Sequence, residues 1–313
     1  IMDAWNEGKV ADVEGYYENA KINRVYVDRV HVKKAFAEYT AAYNAGDPKI
    51  KLKIDHTYRV AALCERIAKA AGMCAYDVEL AWLSGMLHDV GRFEQIKRYN
   101  TFSDADSVDH AKFGADLLFK DGLISTFLNG MVKCTGYKPG ALEDRYNSDG
   151  VFLYDRLNKS DMEMLELAIR CHNMYRIPQG LNRREQAFCN VLRDADKVDI
   201  FKVNIDTPLE EIYNTTTEEL MKSDITDEVI EAFDEEHCIL KAIRRTPADT
   251  VIGHVSLAYE LVYDESVRIT VEQGYLAKLM HFHSDNEETN RKMAMVREKM
   301  DSYVKKRIGE KDV

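Results

Sequence analysis

The chain has 313 residues, 45% hydrophobic and 31% charged, which is typical of a globular protein with a sizeable core. Its net charge of −11 argues against extended nucleic acid as a partner, because phosphate-backbone binding depends on clustered lysine and arginine. No apolar run approaches the roughly 20 residues that a membrane-spanning helix needs. Residues 1–5 also lack the basic and apolar pattern of a secretory signal. We therefore expect a cytoplasmic protein with no membrane partner, in which the cysteines are reduced and mostly buried.

Helical periodicity dominates the sequence, which predicts an all-α fold. The first predicted helices run from Asp55 to Gly72, from near Asp77 to Gly91 and from near Asp109 to Gly122. Others are predicted at 161–173, 183–201, 208–222, 226–244, 247–273 and 286–308, with a loop or hairpin at 136–150. We expect residues 1–49 to form a helical N-terminal extension and residues 50–205 the central helical domain. Residues 206–313 are expected to form an acidic helical region of the same globule, which also offers a possible homodimer surface.

Six side chains combine imidazole and carboxylate groups at or near the ends of predicted helices: His56, His88, Asp89, His110, His172 and Asp196. Divalent metals of borderline softness select these donors, and six are enough for two ions. Each residue alone has an ordinary explanation, such as a helix cap, a core histidine or an acidic solvated face. Their combination and spacing favour a metal centre assembled from several helices.

The order His…His-Asp…His…His…Asp resembles the HD-domain superfamily of metal-dependent phosphohydrolases. Three segments resemble that family's motifs: 87–92 (LHDVGR), 107–111 (SVDHA) and 192–197 (LRDADK). The resemblance covers residues 50–205 and implies an HD-domain helical bundle with N- and C-terminal helical extensions. It also implies that two divalent metal ions are bound, of a kind (Fe, Mn, Ni, Zn or Mg) that the sequence leaves open. The first ion would be held by His56, His88, Asp89 and Asp196, and the second by His110 and His172, with Asp89 bridging both.

The same resemblance implies roles for residues beside the ligands. Asp89 and Arg92 are the expected catalytic residues, and Arg92, Asn173 and Lys197 are the expected substrate contacts. Arg92 stands where many relatives have a lysine and would bind a phosphate oxygen; its alternative is a surface arginine that ends a helix. Lys197 could instead be a solvated lysine, and Arg59 is expected to form a structural ion pair.

The expected function is hydrolysis of a phosphomonoester, nucleotide or small phosphodiester, in which a metal-bound hydroxide attacks phosphorus. Hydrolysis of cyclic dinucleotides is disfavoured, because Asn173 replaces the second histidine of that branch's His-His pair and its Gly-Tyr-Pro signature is absent. Two alternatives remain open: a di-iron oxygenase of the same fold, and a nucleotide-binding regulatory module. The other histidines, at positions 31, 237, 254, 281 and 283, match no part of the pattern.

Overall fold

The structure is a computed structural model that describes residues 24–25, 27–44, 46–128, 152–153, 157, 159–210 and 215–309. Within these ranges the fold is all-α, as predicted, and its strands are one parallel pair, β1 (Arg24–Val25) and β2 (Phe152–Leu153). The chain divides into two compact units, the first from residues 1–57 and 72–188 and the second from residues 58–71 and 189–313. The predicted division at positions 49 and 205 stays a prediction.

The first unit is built around a helix that is buried on all sides. In chain order its helices are α1 (Arg29–Ala41), the start of α2 (Pro48–Ala70), α3 (Ala75–Leu87), α4 (Val90–Tyr99), α5 (His110–Ala115, continued as a π-turn over Asp116–Lys120), α6 (Ile124–Phe127), α7 (Lys159–Cys171) and the start of α8 (Arg183–Asp206). Helix α3 is apolar around its whole circumference, as expected for a central helix. It packs against α7, while α5 packs against both α4 and α7.

Helix α2 begins at Pro48 rather than at the predicted Asp55. The carboxylate of Asp47 accepts a hydrogen bond from the backbone nitrogen of Lys49 at 2.8 Å, which satisfies an amide that has no partner inside the helix. Proline is favoured in a first turn because its missing N–H would have no helical partner there. The earlier start adds two turns ahead of His56 on the same helix.

The predicted second helix does not end at Gly91. Instead, α3 ends before His88 and Asp89, and α4 begins directly after them with Gly91 in its first turn. A Cβ atom on Gly91 would lie 2.5 Å from the carbonyl oxygen of His110 and 2.7 Å from the nitrogen of Gly114. Gly91 therefore permits the close approach of α4 and α5 rather than terminating a helix.

The second unit contains the remainder of α2 and α8 and six further helices in the described residues. These are α9 (Thr217–Lys222), α10 (Asp227–Asp234), α11 (Pro247–Val255), α12 (Asp264–Gln273), α13 (Tyr275–Met280) and α14 (Glu287–Ile308), with 3₁₀ turns at Lys241–Ile243 and Ser256–Glu260. Helix α12 packs against α13 and α14. Helix α14 confirms the prediction for 286–308.

The predicted helix 247–273 is two helices, α11 and α12, separated by the 3₁₀ turn Ser256–Glu260 and a non-helical stretch at 261–263. The buried carboxylate of Asp194 accepts hydrogen bonds from the backbone nitrogens of Val262 at 3.0 Å and Tyr263 at 2.9 Å, and from the hydroxyl of Ser266 at 2.7 Å. These amides therefore bond to a side chain instead of to carbonyl groups of a continuous helix, which is why the helix is interrupted here.

Other predicted elements differ mainly at their bounds. The helix predicted at 161–173 is α7, the one at 183–201 extends to the end of α8, and the one at 226–244 shortens to α10. The predicted loop at 136–150, residues 1–23 of the N-terminal extension and residues 211–214 lie outside the described residues. A search of the described residues found no helix with the length and apolar character needed to cross a membrane.

Candidate metal centre

Five of the six predicted ligands lie together in the first unit. His56 is on α2, His88 directly follows α3, and Asp89 directly precedes α4. His110 is the first residue of α5, and His172 directly follows α7. All five side chains are buried, with residue exposures of 5% or less. The ends of α3, α4, α5 and α7 and one face of α2 therefore bring the five polar side chains into the interior.

The carboxylate of Asp89 lies between two pairs of histidines. Its Oδ2 is 3.5 Å from Nε2 of both His56 and His88, whereas its Oδ1 is 3.6 Å from Nε2 of His110 and 3.8 Å from Nε2 of His172. An aspartate at this position commonly caps the following helix, but Asp89 makes no such hydrogen bond. Its Oδ1 is buried and has no hydrogen-bond partner among the described residues. A carboxylate in this arrangement can bridge two cations.

The proton positions of three histidines follow from their neighbours. Nδ1 of His88 and Nδ1 of His172 each lie 2.7 Å from the backbone carbonyl oxygen three residues earlier. Nδ1 of His110 lies 2.6 Å from Oδ2 of Asp104. Carbonyl and carboxylate oxygens only accept hydrogen bonds, so each Nδ1 carries the proton and each Nε2 carries a lone pair.

The Nε2 atoms of the four histidines form two close pairs, and in the His110/His172 pair both nitrogens carry lone pairs that face each other. The Nε2 atoms of His110 and His172 are 3.0 Å apart, and those of His56 and His88 are 3.3 Å apart. Two facing lone pairs repel each other unless a cation lies between them. Two nitrogens that each lie about 2.1 Å from one ion, at roughly 90–110° to each other, are separated by roughly 3.0–3.4 Å. The donor set therefore fits a divalent metal, and the histidine and aspartate clusters could hold one.

The electrostatic surroundings favour the protonation states that a metal requires. Burial alone would raise the pKa of Asp89, but nearby positive charges, Lys53 first among them, hold that pKa well below its usual range. Burial lowers the pKa of His110 to about 4, although its hydrogen bond to Asp104 acts in the opposite direction. Near neutral pH the carboxylate is therefore ionised and the imidazole is neutral, as metal ligands must be.

Asp196, the sixth predicted ligand, belongs to the second unit. It is half-buried on α8, and its role as a ligand of the first ion stays a prediction. The adjacent Lys197 is 8% exposed, so the interpretation of a solvated lysine is wrong. Burial, followed by the charge of Arg193, lowers the pKa of Lys197 to about 8. Its contact with a substrate also stays a prediction.

Arg92 lies in the first turn of α4, so the interpretation of an arginine that ends a helix is wrong. Its Nη1 donates hydrogen bonds to Oε1 of Gln95 at 2.7 Å, the carbonyl oxygen of Phe102 at 2.7 Å and Oδ1 of Asp104 at 2.9 Å. Its Nε is buried 3.8 Å from Oδ1 of Asp89 and has no hydrogen-bond partner in the described part of the chain. The guanidinium is thus fixed beside the central carboxylate.

Lys53 also lies in the centre, although it is not among the predicted site residues. Its Nζ lies 2.7 Å from Oδ2 of Asp89, and its side chain is 18% exposed. The ammonium also lies 5.6 Å from the centre of the Phe102 ring. Lys53 precedes His56 by one helical turn on α2, and residues at that spacing share a helix face. This spacing is the sequence signal that could have indicated it.

Asp104, in the loop between α4 and α5, is a second residue beside the centre that is not among the predicted site residues. Its Oδ2 accepts hydrogen bonds from Nδ1 of His110 and, at 3.3 Å, from the amide of Asn173. Asn173, a predicted substrate contact, is exposed and also donates to Oδ1 of Asp109 at 2.9 Å. The three residues Asp104, Asp109 and His110 are close enough to hold a metal, but here Asp104 binds Nδ1 of His110 and Asp109 binds the amide of Asn173. No regular pattern in the loop indicates this role.

Two residues outside the centre have structural partners. The guanidinium of Arg59 forms two hydrogen bonds with the carboxylate of Asp199, at 2.6 and 2.9 Å, which confirms the predicted ion pair. His31, which matches no part of the pattern, has its Nε2 3.1 Å from the carbonyl oxygen of Thr126.

An all-α core that gathers four imidazoles around a buried carboxylate defines a helical domain able to hold a divalent metal. Residues 54–202 match the family model described as HD domain, and the chain therefore carries an HD domain in this region. This domain indicates a member of a metal-dependent hydrolase superfamily. Comparison with curated proteins gave no match, and comparison with solved structures also gave none.

Proposed function

We propose that this protein is a metal-dependent phosphohydrolase that cleaves a phosphomonoester, a nucleotide or a small phosphodiester. The observation that carries the proposal is the position of the Asp89 carboxylate, with one oxygen facing each histidine pair. In the proposed site one divalent ion is held by His56, His88, Asp89 and Asp196. A second ion is held by His110 and His172, and Asp89 is shared by both.

Two divalent ions at such a site would activate water for attack and neutralise charge on a phosphoryl group. The charged side chains around the ions decide the net charge of the site. Near the centre, the cations Lys53 and Arg92 balance the carboxylates Asp89 and Asp104, and burial keeps His110 neutral near pH 7. With the further carboxylate of Asp196, two divalent ions would still leave the proposed site positively charged, which suits an anionic substrate.

Arg92 is the best-supported substrate contact. Its guanidinium is fixed by three hydrogen bonds through Nη1, so little side-chain entropy is lost when a phosphate oxygen binds to the remaining donors. Lys53 is a second cation at the same carboxylate and is proposed to act with it. Asn173 and Lys197 are proposed as further substrate contacts.

The test begins with metal analysis of the purified protein and with turnover of two chromogenic esters, 4-nitrophenyl phosphate and bis(4-nitrophenyl) phosphate. Hydrolysis of one or both is expected with the metal-loaded protein and not after chelation. Asp89→Ala should abolish turnover while circular dichroism shows an intact fold; Asp106→Ala, a change of an exposed aspartate, should leave turnover unchanged. Full activity in Asp89→Ala would refute the proposal. A mixed-valence iron signal without ester hydrolysis would point to the oxygenase, and a tightly bound nucleotide recovered unchanged to the regulatory module.

A further inference from the structure

The loop between α4 and α5 is organised around one carboxylate, that of Asp104. Its oxygens accept hydrogen bonds from His110 at 2.6 Å, Arg92 at 2.9 Å, Gln95 at 3.0 Å and Asn173 at 3.3 Å. Gln95 is completely buried, and its Nε2 also donates to the loop at the hydroxyl of Ser107 and the carbonyl oxygen of Val108. Asp104 is therefore held in place from several sides.

This carboxylate distinguishes His110 from His88 and His172. Nδ1 of His88 and Nδ1 of His172 both donate to neutral backbone carbonyls. Among these three histidines, only His110 donates to a charged carboxylate. A carboxylate partner increases the basicity of the opposite ring nitrogen and fixes the ring orientation, and loss of such a partner typically costs about 10–100-fold in metal affinity.

Asp104 also holds the guanidinium of Arg92, whose Nε lies 3.8 Å from the central Asp89. The hydrogen bond to His110 and the ion pair with Arg92 use different oxygens of Asp104, so one residue orients both groups at once. A change in the position of this carboxylate would therefore displace both the proposed metal ligand His110 and the proposed substrate contact Arg92.

We propose that Asp104 is a positioning residue that makes the His110/His172 half of the centre a competent metal site and fixes Arg92 beside Asp89. The inference rests on the proposed function, because it assumes that both halves bind ions. Its consequence is selective: loss of the Asp104 charge weakens one ion site and leaves the other close to its original affinity.

The experiment is a calorimetric titration of the metal-free protein with Mn²⁺. The loaded protein is then examined by electron paramagnetic resonance. The wild type is expected to bind two ions with a spin-coupled signal. Asp104→Asn should bind one ion within about threefold of wild-type affinity and the second about 10–100-fold more weakly, with a mononuclear signal at limiting metal. Asp104→Glu, which keeps the charge, should recover part of the second site. Asp106→Asn is the matched control, because this exposed aspartate lies in the same loop, and it should behave as the wild type.

Equal weakening of both sites in Asp104→Asn would indicate a merely structural role and overturn the inference, as would two sites of unchanged affinity. If Asp104→Asn does not fold, Asp104→Glu decides: weakening of the second site with a first site close to wild-type affinity supports the inference, whereas equal loss of both sites or two unchanged sites oppose it. A wild type that binds two ions but hydrolyses neither ester refutes the proposed function. The role of Asp104 is then still decided by the metal titration. A wild type that binds a single ion refutes the role of Asp104.

Discussion

The contact between Lys53 and Asp89 predicts that this lysine competes with metal for the central carboxylate. The ammonium occupies Oδ2 of Asp89 at 2.7 Å, on the side that faces His56 and His88. A divalent ion bound there would displace the ammonium and would also be repelled by it. Lys53→Met removes the charge and keeps most of the side-chain length, so the metal-free variant should bind its first Mn²⁺ more tightly than the wild type.

The size of the effect follows from the contact. Hydrogen bonds to charged groups contribute about 1.5–3 kcal/mol, and the partial exposure of Lys53 places this one at the lower end. A change of about 1.4 kcal/mol in binding free energy corresponds to a change of about tenfold in the affinity for the first Mn²⁺. The metal-free variant should also melt at a lower temperature, because Asp89 then lacks its nearest cation in the interior. Metal loading should remove most of that difference.

Calorimetric titration with Mn²⁺ and thermal denaturation with and without metal measure both effects. Lys51→Met is the control, since Lys51 is exposed on the same helix and makes no described ion pair. Lys53→Arg keeps the charge and should stay close to the wild type. Unchanged or weaker metal binding by Lys53→Met would refute the competition.

Three further outcomes follow from the structure. Gly91→Ala should lower stability by about 1–3 kcal/mol, because the new methyl group would meet backbone atoms of His110 and Gly114; a wild-type melting temperature would contradict this. Chelation should lower the melting temperature of the protein, and added Mn²⁺ should restore it, whereas no shift would argue against bound metal. His254 has its pKa lowered from 6.5 to about 3 by burial and by Arg244, so the unfolded chain binds more protons in that range. Stability should fall as pH decreases from 6.5 towards 3, by up to about 1.4 kcal/mol per pH unit, and His254→Gln should flatten this dependence in denaturant titrations.

The grouping of five predicted site residues could be read from the sequence because imidazole and carboxylate side chains in this order are rare. His88, Asp89 and His110 each lie at or next to a helix end, near the predicted helix ends, whereas His56 lies two turns inside α2. Lys53 could not be separated in the same way, because it follows two other lysines and resembles a solvated helix face. Lys53 shares a helix face with His56 only if α2 begins before it. The predicted start, at Asp55, lies seven residues after the observed start at Pro48.

Asp104 was beyond prediction for a different reason. The residues between α4 and α5 follow no helical or strand period, and their order comes from side-chain hydrogen bonds. Such contacts join residues such as Asp104 and Asn173 that are distant in sequence, so periodicity carries no information about them. The assignment of Asp196 to the first ion and a homodimer surface on the acidic helices remain predictions.

The interruption at His88 and Asp89 links the fold to the chemistry. Adjacent residues in a continuous helix point about 100° apart, so an unbroken helix would turn one of these side chains away from the cavity. The backbone of Asp89, at φ −106° and ψ 15°, leaves the helical geometry and lets the carboxylate face the rings on both sides. Gly91 then lets α4 approach α5 closely enough for His110 to reach the same carboxylate. Gly91→Ala should therefore weaken the second metal site as well as the fold, and a variant with normal metal stoichiometry would show that the close helix contact is not needed for the site.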